Sequence, residues 1–310
     1  VMRLVGSEMC IRDRFVVVSN RLADAARDDV ILAGNQRVLR ARLADAEFFW
    51  QEDRQAPLAE ALPRLADIVF YEGLGSVHDK AARLAQLAAH IAPAIAGCDG
   101  AAAGEAARLA KADLVSGMVG EFPELQGIMG GYYAEAGGAP AAVASAIRDH
   151  YRPQGPADGL PATPEGLAVS LADKIDSLVG FFGVGAKPTG SKDPFALRRA
   201  ALGVIRIILE SQTRLPLRPV LAASAAAYGF AAVDDDLLAF IRERLRVSLR
   251  DRDAGSGSSI AHDVVAAALG DGMAEGSDDI LFLAERADAL AAFLGSDDGA
   301  GLVAGSVSYT

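Results

Sequence analysis

The sequence has few cysteines and no long apolar run, and each shortage excludes a class of protein. Cys10 and Cys98 are its two cysteines and they form no CxxC pair, so neither a disulfide framework nor a cysteine-based structural zinc site is expected. No apolar run approaches the ~20 residues that a membrane-spanning helix needs, and no secretory signal pattern is evident. We therefore expect a reducing, cytoplasmic setting.

Sequence motifs of common enzyme sites are missing as well. The chain contains no GxxxxGK[ST] phosphate loop, no GxSxG nucleophile motif and no HExxH zinc motif. Its four histidines lack the spacing of metal ligands: His78, His90, His150 and His262. No residue pattern indicates a site for ATP or for amino-acid activation, so we expect no catalytic residue, no metal and no cofactor in this chain.

Alanine dominates what is present. Hydrophobic residues make up 51% of the 310 residues and aromatic residues only 6%. Alanine favours helices and is depleted in strands, and the length allows about two domains of ~150 residues. The composition predicts a mainly α protein, with a short α/β remnant near the N-terminus where residues 15–19 form a β-branched run.

Composition and turn residues predict five segments. Residues 15–64 end a preceding α/β domain and add a connecting helix, residues 65–215 form one helical domain, and residues 216–305 form a second, incomplete helical region. Residues 1–14 and 306–310 resemble translated sequencing-adapter DNA, so we expect both ends to be artefacts.

Capping residues and prolines predict the helices. Asn35 is a candidate cap for a helix whose apolar stripe comprises Leu39, Leu43, Ala46 and Trp50. Further helices are expected over residues 77–95, 106–118, 123–133, 140–151, 191–210, 220–228, 236–251, 260–269 and 279–293, and from residue 163 onward.

A basic segment stands out from the overall charge of −11. Between Lys187 and Arg206 there are five basic residues and one acid, a balance of 5 − 1 = +4. Asp193 and Pro194 are typical of a helix start, and the following helix would bury one apolar face that comprises Leu197, Ala201, Val204 and Ile208. Two interpretations stay open: a core helix with a solvated arginine face, or a contact for a polyanion at a helix N-terminus.

A second group of basic residues, Arg37, Arg40 and Arg42, projects from the helix expected after Asn35. This group is compatible with a salt-bridged surface helix and with an RNA contact.

A histidine–aspartate pair, His78 and Asp79, is followed by Asp113 and Asp173 on later helices. The order and spacing resemble the metal-dependent phosphohydrolase fold that is named for its HD motif, since imidazole and carboxylate groups can hold a divalent metal there. Ala112 stands where that family needs a ligating histidine. We therefore expect an HD-like fold with a degenerate site, in which the pair caps a helix and Asp173 is buried beside a base.

Four longer segments resemble the β subunit of bacterial α2β2 glycyl-tRNA synthetase: Gly34–Asp53, Leu74–Lys80, Lys111–Gly130 and Leu171–Ala201. The resemblance implies a partial β subunit that recognises tRNA(Gly) and supports ATP-dependent attachment of glycine, with ATP and glycine bound by the α subunit. It implies an HD-like domain near the acceptor end and a C-terminal region that leads into an anticodon-binding domain.

Within this resemblance, tRNA contacts are expected first at Lys187, Lys192, Arg198 and Arg199, and second at Arg37, Arg40 and Arg42. Two other functions remain open. One is a metal-dependent HD-type phosphohydrolase, and the other is a helical scaffold that binds a protein partner and no RNA.

Overall fold

A computed structural model describes residues 3–5, 15–18, 25–190, 192–231, 234–252, 262–270, 276–299 and 301. These residues fall into two compact units, one within residues 1–55 and the other within residues 56–310. Helices dominate both units and the strands are short. The prediction of a mainly α protein is therefore confirmed.

The first unit contains two strands and one long helix. Strand β1 (Arg3–Val5) pairs antiparallel with β2 (Phe15–Val17), and helix α1 spans Ala25–Asp53. The predicted helix start at Asn35 is wrong, because α1 runs through this position. Glycine and asparagine inside a helix cost at most about 1 kcal/mol each, and the helix-compatible residues on both sides outweigh that cost. The predicted apolar stripe of this helix is not buried along its whole length, because Leu43 is exposed.

The second unit is built almost entirely from helices. Two short antiparallel strands, β3 (Val69–Tyr71) and β4 (Gly75–Ser76), precede them. The helices are α2 (Val77–Ile91), α3 (Gly100–Leu109), α4 (Gly117–Glu121), α5 (Ile128–Ala136), α6 (Ala141–Asp149), α7 (Pro164–Gly183), α8 (Leu197–Glu210), α9 (Leu217–Tyr228), α10 (Asp234–Arg252), α11 (His262–Leu269) and α12 (Ile280–Leu294). Short 3-10 helices connect them at Leu58–Asp67, Ala92–Ala94, Ala112–Val115 and Pro123–Leu125.

Helix α7 lies at the centre of the second unit. Thr163 caps its N-terminus by accepting a hydrogen bond from Gly166 N, and α7 contacts α2, α3, α6, α8 and α9. Leu171, Ile175 and Leu178 are fully buried. A helix that is buried on most sides must be surrounded by others, and α7 is the element around which these helices pack.

Two predicted helices have different bounds in the structure. Residues 106–118 form the end of α3, a 3-10 turn and the start of α4, because Asp99 and Ser116 each cap a separate helix. The helix expected from residue 123 starts only at Ile128, after Gly127 takes a φ of 80°. Short-range capping bonds set these helix ends.

Helix α8 starts at Leu197, so the prediction of a helix from residue 191 is wrong. Ala196 has left-handed backbone angles, with a φ of 53°, which interrupts the helical path between Asp193 and Leu197. Asp193 still caps the helix from further upstream, since its carboxylate accepts hydrogen bonds from Leu197 N at 2.8 Å and Arg198 N at 2.9 Å. The predicted apolar face is confirmed, because all four of its residues are buried.

The predicted divisions after residues 64 and 215 both fall inside the second compact unit. Helices α9 and α10 contact α7, and α12 contacts α8. The division into domains stays a prediction. The artefact proposal also stays a prediction: of residues 1–14 only 3–5 are described, and residues 306–310 lie outside the described part.

Among the helices in the described part of the chain, none is both long enough and apolar enough to cross a bilayer.

Removing the upstream cap tests the start of α8. We expect Asp193→Ala to lower the free energy of unfolding by about 1 kcal/mol, the usual effect of losing an N-terminal cap. Denaturant titration of the full-length protein measures the change. Lys192→Ala is the matched control, because the exposed Lys192 contributes only backbone hydrogen bonds to this turn. Equal stability of both variants would show that Asp193 does not cap α8.

Candidate functional site

Helix α7 carries three charged residues into the core of the second unit. Asp173, Lys174 and Asp176 are all buried, and Asp176 is fully so. An unpaired charge at such depth is strongly destabilising. The partners of these residues therefore determine how α7 can pack.

Asp176 is paired with two cations from α2. Its Oδ2 lies 3.0 Å from Lys80 Nζ and its Oδ1 accepts from Arg83 Nε at 2.8 Å. Tyr228, at the end of α9, donates its hydroxyl to Asp176 Oδ2 at 2.9 Å and accepts from Arg83 Nη2 at 2.9 Å. Burial, together with the Asp176 charge, raises the pKa of Tyr228. One carboxylate thus joins α2, α7 and α9.

Gly180 on α7 allows this approach of α9. A Cβ at Gly180 would lie 2.6 Å from the Tyr228 hydroxyl oxygen and 2.9 Å from its ring carbon Cζ. Those distances are too short for any side chain, so glycine is required for Tyr228 to reach Asp176.

Asp173 lies between two ammonium groups. Its Oδ2 accepts a hydrogen bond from Lys111 Nζ at 3.0 Å, and its Oδ1 lies 3.0 Å from Lys80 Nζ. The second contact is Coulombic, because Oδ1 lacks the alignment of a hydrogen bond to any described residue. Burial alone would raise the pKa of Asp173, but Lys111 and Lys80 outweigh it and hold that pKa well below its usual range. Asp173 is therefore ionised at neutral pH.

His150 completes the contacts of Lys111. Lys111 Nζ lies 2.8 Å from His150 Nε2, while His150 Nδ1 donates to Ile147 O at 2.6 Å. Burial, and then the Lys111 charge, lowers the pKa of His150 to about 3. The imidazole is therefore neutral at physiological pH, with its proton on Nδ1 and its Nε2 lone pair directed at the ammonium.

Lys174 projects from α7 toward the loop that follows α6. Its Nζ donates to Tyr151 O at 3.2 Å and Arg152 O at 2.9 Å. A Cβ at Gly203 would lie 2.6 Å from Lys174 Cε, so this glycine gives the lysine side chain its space against α8. Burial lowers the pKa of Lys174 to about 8. Its partners are mainly carbonyl oxygens, in contrast to those of Lys80 and Lys111.

The predicted HD-type residues have separate structural roles. Ser76 and Asp79 form a capping box at the start of α2, and both His78 and Asp79 are exposed. The fully buried Asp113 accepts from Gly127 N at 2.6 Å and Gly130 N at 2.9 Å, which caps α5. In the described part of the chain, no group of three or more histidine, cysteine or acidic side chains could hold a metal ion. The HD-like assignment itself stays a prediction.

The basic segment between Lys187 and Arg206 contains two kinds of cation, those that are paired with acids and those that are not. Lys187 and Arg206 are paired with acids, Asp236 at 2.5 Å and Glu210 at 2.5 Å respectively. Arg206 also donates to Gly155 O at 3.1 Å. These two side chains stabilise the fold locally and are less available for an external anion.

Lys192, Arg198 and Arg199 are not paired with acids. Arg198 Nη2 donates to Gly190 O at 2.6 Å, which holds the tight turn where Thr189 and Lys192 exchange backbone hydrogen bonds. The side chains of Lys192 and Arg199 are exposed and have no hydrogen bond or ion pair to any residue that the structure describes. We call these three residues the basic surface.

The α8 N-terminus is not an open anion site. The carboxylate of Asp193 already accepts hydrogen bonds from Leu197 N and Arg198 N. The expectation that free backbone N–H groups contribute to polyanion binding there is therefore wrong for these two groups. Any anion at the basic surface must be bound by side chains.

The second group of candidate tRNA contacts lies in the first unit. Arg37, Arg40 and Arg42 are exposed on α1. Their role as RNA contacts stays a prediction.

The sequence analysis expected Asp173 to be buried beside a basic residue, but it missed the other members of a buried ionic cluster. We define this cluster as Lys80, Arg83, Lys111, His150, Asp173, Asp176 and Tyr228. One signal was available: two acids lie three residues apart within the largely apolar α7, which places both on the same face of a buried helix. Their cationic partners come from distant segments and have no comparable signal.

The buried histidine makes stability depend on pH. The folded-state pKa of His150 is about 3, below the value of about 6.5 in an unfolded chain. Only the unfolded state therefore binds a proton as the pH falls through 6.5, and stability is lost. We expect His150 to lower the free energy of unfolding by about 2 kcal/mol between pH 7 and pH 5. Denaturant titrations at both pH values measure this loss.

His150→Gln is the matched variant, because it keeps polar atoms in the ring position and removes the titration. The loss between pH 7 and pH 5 should be about 2 kcal/mol smaller in this variant. An equal loss in both proteins would contradict a buried neutral His150.

Comparisons with known proteins identify the family of this chain. Residues 3–270 match the family model described as glycyl-tRNA synthetase beta subunit. A glycine–tRNA ligase β subunit of Rhodospirillum centenum is 51% identical over 297 residues, which cover 94% of this chain and 40% of the relative. The β subunit of Phenylobacterium zucineum is 50% identical over 295 residues, with 94% and 40% covered. That of Cereibacter sphaeroides is 47% identical over 304 residues, with 94% and 42% covered. The chain thus spans 40–42% of the length of these relatives, and it belongs to the glycyl-tRNA synthetase β subunit family.

Proposed function

We propose that the chain is part of a glycyl-tRNA synthetase β subunit and that its basic surface contacts tRNA(Gly). In this proposal the α subunit binds ATP and glycine, and two subunits of each kind form an α2β2 enzyme in the cytoplasm. Family membership supports the role in glycine attachment. The exposed cations of the basic surface support the place of the RNA contact.

One observation carries the RNA contact. In a chain with a net charge of −11, Arg199 is an exposed cation without an ion-pair partner in the described residues. Phosphate contacts come mostly from arginine and lysine side chains, and a planar guanidinium can bind two phosphate oxygens at once. The acidic remainder of the chain would repel RNA elsewhere, which favours one docking orientation.

Lys192 and Arg198 extend this contact in different ways. Lys192 offers an exposed ammonium beside the turn at Gly190. Arg198 holds that turn through Gly190 O, so it positions the loop as well as adding charge. We propose Arg199 and Lys192 as the principal contacts, and Arg198 as a residue with both roles.

Two further predictions for the full enzyme belong to this proposal. The helices α9–α12 would lead toward an anticodon-binding domain, and Arg37, Arg40 and Arg42 on α1 would form a second RNA contact.

No specific observation favours the phosphohydrolase alternative, because the buried carboxylates Asp173 and Asp176 are paired with lysine and arginine side chains.

Steady-state glycylation by the complete α2β2 enzyme tests the contact. We expect Arg199→Ala to raise the KM for tRNA(Gly) about fivefold, the effect of losing roughly 1 kcal/mol of binding. The variant should also reduce the slope of log KM against log salt concentration by about one unit, because one phosphate contact is lost. ATP–pyrophosphate exchange, which does not need tRNA, should stay unchanged.

Arg206→Ala is the matched control on the same helix. Its guanidinium is already bonded to Glu210 and Gly155 O, so its KM for tRNA should equal that of the wild type. If Arg199→Ala leaves the tRNA KM and its salt dependence unchanged, the basic surface does not bind RNA. That result would favour a scaffold that binds a protein partner.

A further inference from the structure

The segment that connects α7 to α8 carries part of the basic surface. Its described residues are 184–190 and 192–196, and Lys192 belongs to the basic surface. Phe195 is the one aromatic residue between Gly183 and Leu197. Its side chain is half-buried and packs against the hydrophobic core, whereas the side chains of Lys192 and Arg199 on either side of it in sequence are exposed.

The ring of Phe195 contacts two other aromatic rings. It is nearly parallel to the ring of Phe181, with centroids 4.2 Å apart and an interplanar angle of 14°. Tyr71 meets Phe195 edge-to-face, with centroids 5.2 Å apart, and meets Phe181 in the same way at 5.1 Å. Aromatic pairs of these two kinds stabilise a contact beyond the burial of apolar area. We call Tyr71, Phe181 and Phe195 the ring cluster, and it joins the connecting segment to the end of β3 and to α7.

The polar contacts of the connecting segment are local or exposed. Asp193 caps α8, and Arg198 Nη2 donates to Gly190 O at 2.6 Å, so both contacts join the segment to α8 itself. Lys187 is paired with Asp236 on α10, but both side chains are exposed, and an exposed ion pair contributes little stability. The ring cluster is therefore the contact that fixes the later half of the segment to the core.

The backbone turns sharply just after Phe195. Ala196 has a φ of 53°, a left-handed conformation that is unfavourable for alanine. Such strain persists only where the surrounding structure determines the path of the backbone. Here the ring cluster fixes Phe195 on one side, and the buried Leu197 fixes the start of α8 on the other. The contacts of both neighbours thus hold the chain in this conformation.

We propose that Phe195 is a positioning residue for tRNA binding, and that the ring cluster holds Lys192 in a fixed place relative to Arg198 and Arg199. This inference rests on the proposed function, since it concerns the surface that would contact RNA. Side chains that are already ordered lose less conformational entropy when they bind. Releasing Phe195 would leave Arg199 on α8 in place but let Lys192 move, so the same charges would bind RNA more weakly.

Hydrogen exchange of the full-length protein with Phe195→Leu tests the positioning without RNA. Leucine keeps an apolar side chain and removes the stacked ring. We expect the backbone amides of Leu197 and Arg198, which donate to Asp193, to exchange about tenfold faster, because local opening of the segment becomes easier. Amides in α2 should exchange at the wild-type rate. Unchanged exchange at Leu197 and Arg198 would overturn the proposal.

Glycylation by the complete α2β2 enzyme tests the consequence for RNA. Phe195→Leu should raise the KM for tRNA(Gly) about threefold, because binding must then order the segment, while kcat and ATP–pyrophosphate exchange stay unchanged. In a Lys192→Ala background, Phe195→Leu should raise the KM less than it does in the wild type, because residues that act together have non-additive effects. Equal effects in both backgrounds would contradict the proposal, since Phe195 would then not act through Lys192.

Phe70→Leu is the matched control. The ring of Phe70 also contacts Phe181, with centroids 5.8 Å apart, but Phe70 belongs to β3 and not to the connecting segment. This variant should leave the tRNA KM and the exchange at Leu197 unchanged. A rise in KM equal to that of Phe195→Leu would show a general effect of these aromatic contacts on the fold, and Phe195 would have no special role in positioning.

Arg199→Ala separates failure of this inference from failure of the proposed function. If Arg199→Ala raises the tRNA KM and Phe195→Leu does not, the basic surface binds RNA but Phe195 does not position it. If neither variant changes the KM, the RNA contact itself is absent and both proposals are wrong. If Phe195→Leu does not fold, Tyr71→Leu removes a ring of the cluster from outside the segment and should give the same changes. Wild-type exchange and KM in that variant would overturn the inference.

Discussion

The pairing of two buried carboxylates on α7 with cations from other segments is the constraint on which the second unit depends. Asp173 and Asp176 cannot stay ionised in an apolar core without partners. Lys80 and Arg83 come from α2, and Lys111 comes from the turn after α3. Each cation must therefore reach a fixed point on α7, and this requirement determines the relative positions of these helices.

The same cluster extends to α9 through Tyr228. Its hydroxyl is both a donor to Asp176 and an acceptor from Arg83, and its ring lies 3.8 Å below the guanidinium carbon. The helices after Pro216 are thereby joined to the core that α2 and α7 form. A buried ion pair contributes little net stability compared with a well-packed apolar contact, so we regard the cluster mainly as a device that specifies one arrangement.

Interior and exterior cations consequently have different surroundings. Lys80, Arg83 and Lys111 are bound to carboxylates inside the unit. Arg199 lies outside on α8, whose opposite face is buried against the same core. One face of this helix therefore packs in the core, and the proposed polyanion contact concerns only the other face, which is exposed to solvent. A rigid core fixes where the outer face presents its charge, which is what specific recognition of a polyanion requires.

Sequence periodicity, capping residues and prolines predicted most helices of the second unit. The helices expected over residues 77–95, from residue 163 and over residues 279–293 correspond to α2, α7 and α12. Those signals are local, so one sequence suffices to find them. The start of α8 was predicted wrongly because Ala196 adopts a left-handed conformation that alanine rarely takes.

The buried ionic cluster could not be predicted for a different reason. Lys80 and Asp176 are 96 residues apart in the chain, and Lys111 and His150 are 39 apart. Nothing in the local sequence distinguishes these lysines from solvated ones. His150 likewise has no ligand spacing in the sequence, because its partner is a lysine. Only the packing of α2, α3 and α6 around α7 brings these groups together.

Native-state hydrogen exchange on the Asp176→Asn protein tests most directly whether the cluster holds the helices together. Asparagine keeps the shape of the side chain and removes the charge that Lys80, Arg83 and Tyr228 share. Our account predicts that backbone amides in α2, α7 and α9 lose protection together and by similar factors. Loss of protection confined to α7 near residue 176, with α2 and α9 unchanged, would contradict it.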